Sequence, residues 1–392
     1  MKRGLAIGAL GVLVMIALAC NSAPAASGPG DVNQGSESGD GGSSIQTGQF
    51  ALLLTAMADG RSYLNAEVLP DGRVMVIGGR SKGVSEWPIV HARVEIFDPT
   101  TQAWTDTGAL ADERQQPAVA VFPDGKVLVA GGTDTSINPY NRAEIWDPAT
   151  GEWTPAGRMK QYRELPQGVG LDDGRAMVVG GISKTFKPLT IVEVYDPVTG
   201  EWEELAPTSA GHRQFTLTKL SDGKVLAAGG GALDGPWLDV AEVYDPSTDT
   251  WTLTGPMITG RTMHTATLLQ DGRVLVVGGV GKGTGDHGVA LSSAEIYDPA
   301  TNEWTSAGNT RVTRSEHATS LMGDGRAIVV GGVGDTKQSE IYNPSTGTWS
   351  AGPSLIESRY RFAAVTLHDG SVLAIAGQSS EKVLHTVERY KP

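Results

Sequence analysis

An Asp-Gly pair, an apolar run and a pair of glycines recur along this chain in one order and at one spacing. The copies run from Asp71 to Gly79, Asp124 to Gly132, Asp173 to Gly181, Asp222 to Gly230, Asp271 to Gly279 and Asp324 to Gly332, and in a seventh, Asp369 to Gly377, Ala376 replaces the first glycine. A second motif, Glu-(Ile/Val)-aromatic-Asp-Pro, follows at Glu95, Glu144, Glu193, Glu242 and Glu295, then in altered form at Glu340 and Glu388. Nine residues after each of the first six glutamates stands a tryptophan: Trp104, Trp153, Trp202, Trp251, Trp304 and Trp349. The tryptophans are 49, 49, 49, 53 and 45 residues apart, near the ~50-residue period of arrays in which each repeat buries its apolar face only against its neighbours.

One repeat spells four antiparallel strands. Asp-Gly supplies the positive φ of a two-residue hairpin and so ends the first. The apolar run, Lys126-Val127-Leu128-Val129-Ala130 in the second copy, is the second strand. Glu-Ile-Tyr is the third, and the tryptophan lies on the fourth after an Asp-Pro turn. The glycine pair closes the second strand, where a side chain would obstruct close backbone approach. With 52 Gly and 21 Pro in 392 residues, the chain turns often. The seventh copy stops at Pro392, short of a tryptophan, while Thr47-Gly48-Gln49-Phe50 mirrors Thr150-Gly151-Glu152-Trp153. The N-terminal strand is therefore expected to complete the last blade and remove the open edges of the ring.

The glycine pair, Glu-x-Tyr-Asp-Pro and the trailing tryptophan at this spacing resemble kelch repeats, from Gln46 to Pro392. The resemblance implies an all-β, seven-bladed kelch-like β-propeller in which the first strand of each blade lines a central channel. The recurring glycines and tryptophans are then residues of the fold, not of a site.

The start of the chain reads differently. Lys2 and Arg3 precede an apolar run from Gly4 to Ala19, too short to span a bilayer comfortably, and small residues lead up to Cys20, the only cysteine. The segment resembles a bacterial lipoprotein signal, which implies that Cys20 is lipidated and becomes the mature N-terminus. Residues 21–44 are almost entirely Gly, Ser, Pro, Ala, Asn and Asp and read as a flexible tether. The expected organisation is a signal peptide over 1–19, a lipidated cysteine and tether over 20–45, and a propeller over 46–392, held in the bacterial cell envelope outside the cytoplasm. A net charge of -13 without a Lys/Arg run has the wrong sign for a nucleic-acid partner. The membrane is expected to be met through the lipid anchor alone, and the protein to be monomeric.

Function on a rigid ring is expected where length varies. The hairpin turns keep fixed offsets. Between the glycine pair and the glutamate, by contrast, 15, 11, 11, 11, 15, 7 and 10 residues intervene in the seven copies. These loops share one face, and their candidate binding residues for a carbohydrate, protein or peptide ligand are Trp87, His91, Trp237 and His287, with Tyr140, Lys187, Asp239 and His385 beside them; each also reads as an ordinary solvated loop residue.

Arginine also recurs ten residues before the Asp-Gly aspartate, at Arg61, Arg114, Arg163, Arg261, Arg314 and Arg359, with Arg213 displaced by one in the fourth copy. Converging at the channel mouth, these groups could hold carboxylates; equally, each could pair with its repeat glutamate, seven with seven. His264 and His317 share a first-strand position that Phe215 and Phe362 hold in other copies, which reads as packing, so neither metal nor cofactor is expected. No GxSxG, HExxH or phosphate loop is present. Propellers resembling galactose oxidase use copper beside a cysteine cross-linked to tyrosine, and residues 46–392 contain no cysteine. A carbohydrate-active enzyme similar to the sialic acid mutarotases is the alternative to a binding protein, with Glu164 and Glu316, next to the arginines, as its acid or base.

Overall fold

The computed structural model describes residues 47–81, 88–231, 237–283, 287–334 and 336–392, and the folded unit runs from Ile45 to Pro392. Among the described residues every regular element is a strand, and the strands make seven antiparallel sheets. Blade one pairs Asn65–Val68, Val74–Ile77, Arg93–Asp98 and Ala103–Ala109, from channel to rim. Blade two follows with Ala118–Val121, Val127–Ala130, Tyr140–Asp147 and Glu152–Arg163, and blade three with Gln167–Gly170, Ala176–Val179, Val192–Asp196 and Glu201–Leu205. Blade four is Thr216–Lys219, Val225–Ala228, Ala241–Asp245 and Thr250–Leu253, and blade six is Ala318–Leu321, Ala327–Val330, Ser339–Asn343 and Thr348–Ala351.

Blade five departs from the four-strand plan. Its strands Thr265–Leu268, Val274–Val277, Gly288–Asp298 and Glu303–Arg314 are joined by Arg261–Thr262 and Val280–Lys282, which pair with each other, and Val280–Lys282 also pairs with the long third strand. Of the longer segment expected as a loop in this copy, residues 280–282 and 288–294 are thus paired strand on the variable-loop face. Blade seven is composite: Ala363–Thr366, Val372–Ile375 and Val387–Tyr390 take Phe50–Leu52 as their outer strand. Phe50 pairs with Tyr390 in the register of Trp202 with Tyr195 and Trp251 with Tyr244. Its ring lies 5.3 Å from that of Tyr390, against 5.2 Å for Tyr244 and Trp251.

Packing explains the motifs. Seven apolar clusters fill the seven interfaces between adjacent blades. The second strand of every blade feeds the clusters on both its sides, and all four of its residues are buried. That is why it reads as an unbroken apolar run instead of an alternation. The tryptophans tie blades together at the rim, as where the indoles of Trp202, Trp251 and Trp349 donate to the carbonyls of Ala156, Ala206 and Ala307 in the preceding blade.

Near the channel the glycine pair does the equivalent work. The N–H of the second glycine, from Gly79 to Gly377, donates at 2.7–3.1 Å to the carbonyl of the residue at the arginine position in the next blade, and Gly377 closes the circuit on Arg61. All seven links are made. A Cβ on the first glycine would collide with that same carbonyl, lying 2.3 Å from it at Gly78 and 2.6 Å at Gly278.

Candidate functional site

The six arginines lie inside the blades, which corrects the reading that exposes them to a ligand. Arg61, Arg114, Arg163, Arg261, Arg314 and Arg359 are all 0% exposed. Each meets the glutamate of the blade whose first strand it precedes: Arg61 with Glu95, Arg261 with Glu295, and Arg114 with Glu144, Arg163 with Glu193, Arg314 with Glu340 and Arg359 with Glu388 at 2.5, 2.8, 3.0 and 2.7 Å. The same carboxylates accept main-chain N–H groups from the linker ahead of the arginine, such as Ala58, Lys160 and Ile258. The pairs therefore pin each inter-blade linker to the third strand. In blade four the partner of Glu242 is His212, through Nε2 at 2.9 Å. His212 stands ten residues before Asp222, the offset of the other arginines, so the fourth copy carries a substitution where a displacement to Arg213 is expected.

Two residues beyond each of these positions the chain turns into the channel mouth. Tyr63, Gln116, Leu165, Gln214, Met263, Glu316 and Arg361 hold φ between 50° and 56°, a conformation that costs a non-glycine residue about 1 kcal/mol or more. One per blade, they line a cavity of about 460 Å³ on the variable-loop face. Their peptides form a ring of their own. The N–H of Tyr63, Gln116, Met263, Glu316 and Arg361 donates to the carbonyl of the same residue in the preceding blade, and at Leu165 and Gln214 that link is not made.

The lining is unequal around the ring. On one side Arg361 binds Glu316 with both carboxylate oxygens 2.8 Å from its Nε. Tyr63 is stacked by the guanidinium groups of Arg361 and Arg80, 4.5 and 4.3 Å from its ring centre. Burial, and secondarily the Glu316 charge, raise the Tyr63 hydroxyl to about 12, so it is a neutral hydrogen-bonding group. On the other side Asn65, Gln116, Gln167 and Gln214 face the cavity.

His264 and His317 also reach the cavity wall. Their Nε2 atoms lie 3.1 and 3.0 Å from the hydroxyls of Thr216 and Thr265 in the preceding blade, and their Nδ1 atoms are buried without a partner. Burial, followed by the nearby arginine, lowers both to about 3, so both are neutral in the folded protein. An unfolded histidine binds its proton near pH 6.5; stability is therefore lost as pH falls below that value, by up to about 1.4 kcal/mol per pH unit for each ring. His264→Phe with His317→Phe, the residue that blades four and seven use, is expected to flatten the acid side of the stability curve measured by denaturant titration between pH 7 and 4. An unchanged acid slope would contradict the neutral assignment.

The remaining candidates separate. Glu316 is in the mouth, but committed to Arg361. Glu164 does not line the cavity; burial raises its carboxyl against a smaller opposing effect of Arg213. The Trp237 indole presses on blade five, where a Cβ at Gly288 would lie 2.7 Å from its Cζ2. His91 has a buried, unpartnered Nε2, His287 is exposed, and Trp87 lies outside the described residues. Around the mouth Ile89, Ile137, Phe186, Val289 and Val333 are held exposed, Ile137 and Phe186 again at positive φ. Among the described residues no three His, Cys, Asp or Glu side chains are grouped to hold a metal ion.

The Kelch motif matches residues 116–160, 166–209, 220–258 and 261–311. The spermatocyte protein spe-26 of Caenorhabditis elegans is 36% identical over 92 residues, 22% of this chain and 16% of that protein. The match thus spans about a sixth of that relative. A fungal alcohol oxidase of the AA5 family, solved in complex with copper, superposes with a TM-score of 0.69 at 19% identity over 88% of this chain and 77% of its own. At that identity the likeness concerns the fold alone. The seven sheets, together with the Kelch motif matches, make the chain a seven-bladed kelch-like β-propeller whose last blade is completed by its N-terminal strand.

Proposed function

We propose that this is a binding or scaffold protein that takes a carbohydrate or protein ligand at the channel mouth and its surrounding loops, and that a lipid on Cys20 holds it outside the cytoplasm at a bacterial membrane. One observation carries the site: seven left-handed residues, one per blade, ring a cavity of about 460 Å³ on the face where loop length varies. Backbone strain repeated around one opening, on a ring rigid elsewhere, is what a preorganised binding surface needs. The exposed apolar loop tips around that opening support the same reading. For the anchor, the support is the basic start, the short apolar run and the solitary cysteine.

The test presents the full chain to arrays of glycans and peptides. Replacing the 15-residue segments of blades one and five by the 11-residue segment of blade two is expected to weaken any captured ligand about tenfold or more, with the melting temperature little changed. Asp271→Ala, in a hairpin on the opposite face, is expected to lower stability and leave affinity alone. Cys20→Ser is expected to keep the ligand and move the protein out of the membrane fraction. Binding indifferent to the loop replacement would remove this face from the reading, and a Cys20→Ser protein still in the membrane would remove the anchor.

A further inference from the structure

The two sides of the mouth offer different chemistry. Glu316 and Arg361 neutralise one another through the two-oxygen contact, and Tyr63 has two guanidinium groups within 4.5 Å of its ring centre. That side presents little unmet demand. A second stretch of the wall runs through four consecutive blades: Asn65 in blade one, Gln116 in blade two, Gln167 in blade three and Gln214 in blade four. Among the described residues, none of these four carboxamides makes a side-chain hydrogen bond, whereas the threonines farther round, Thr216 and Thr265, are taken by His264 and His317. The peptide ring is also broken here and nowhere else. Leu165 and Gln214 lack the N–H link that the other five blades make, which leaves two main-chain donors at the same arc.

Each carboxamide carries two donors and an acceptor lobe, and half-buried groups of this kind call for a partner that both donates and accepts. Hydroxyl groups do both. Pro117, Leu165, Pro166 and Phe215 line the same cavity, apolar surface suited to the C–H face of a sugar ring. No unbalanced charge faces the cavity on this side, so nothing there favours an anionic or cationic ligand over a neutral one.

We propose that the arc formed by Asn65, Gln116, Gln167 and Gln214 above Leu165 binds a neutral saccharide. The proposal rests on the mouth being the binding site and adds the class of ligand and the residues that select it.

The full chain is probed on an array of uncharged oligosaccharides, sialylated oligosaccharides and peptides, and the best uncharged binder is then titrated calorimetrically. Capture of uncharged glycans is expected, with affinity falling about tenfold or more when Gln116, Gln167 and Gln214 are all changed to alanine, the scale of losing two or three hydrogen bonds. Gln167→Ala alone, expected to cost a smaller fraction of the affinity, serves if the triple variant melts early. Capture of sialylated glycans or peptides only, lost in the triple variant, would keep the mouth as the site and overturn the ligand class. Uncharged glycans bound equally by the triple variant but lost on loop replacement would overturn the arc and leave the face. Capture of no uncharged glycan overturns the proposal.

Discussion

Glu295→Gln is expected to destabilise the propeller by about 3–5 kcal/mol, the scale of leaving one partner of a buried ion pair uncompensated. The Glu295 carboxylate binds Arg261, which is 0% exposed, and accepts the N–H of Ile258 and Thr259 at 2.7 and 3.0 Å. A carboxamide keeps one acceptor, turns two donors toward groups that are donors themselves, and leaves the guanidinium buried with its charge unmet. The protein contains its own control. In blade four the pair is His212 with Glu242, so Arg261→His is expected to cost less than half as much as Glu295→Gln. Arg261→Met combined with Glu295→Gln should recover part of the loss, since replacing both members of a buried pair by neutral groups is often nearly neutral. Urea midpoints of the three variants read all of this at once. Equal midpoints for Glu295→Gln and wild type would mean that the buried pairs do not hold the linkers to the blades.

What the sequence made legible is whatever repeats within one blade. The hairpin Asp-Gly, the doubly buried second strand and the tryptophan offset follow from turn preference and local periodicity, the first two recurring seven times and the tryptophan six, because each blade meets the same problem. Closure by Phe50 was legible for the same reason: the missing tryptophan of the last copy has a counterpart near the start. The role of the arginines was left between two readings because nothing along one strand says whether a guanidinium faces a channel or its own third strand; burial settles it. His212 was readable, since it keeps the ten-residue offset from Asp222, but an eye following arginine passes to Arg213. The mouth itself was not readable. Tyr63, Gln116, Leu165, Gln214, Met263, Glu316 and Arg361 are of six residue types, and none is one that favours positive φ. Five of the seven are tied by main-chain hydrogen bonds to the neighbouring blade, a long-range contact that leaves no local pattern. The blade-five hairpin is similar: its third strand lengthens because Val280–Lys282 is there to pair with it.

Removal of residues 46–57 is expected to have the other large effect. That segment supplies Phe50–Leu52, the outer strand of blade seven, and places Leu53 and Met57 in the apolar cluster between blades seven and one. Without it the Val387–Tyr390 strand becomes an exposed edge open to pairing with other chains. The same seam carries the contacts by which Arg361 of blade seven reaches Tyr63 of blade one, so closure of the ring also builds the mouth. Removal of residues 21–44, which contribute to none of the seven sheets, is expected to leave the melt unchanged.

The measurement that bears most directly on a ring closed by its own N-terminus is the thermal melt of these two truncations beside the intact chain, followed with light scattering. The closed ring predicts a wild-type transition for the 21–44 deletion, and for the 46–57 deletion a transition that is lower, broader and accompanied by aggregation. Two truncations that melt alike, cooperatively and without scattering, would contradict closure by the N-terminal strand and with it the seven-sided mouth.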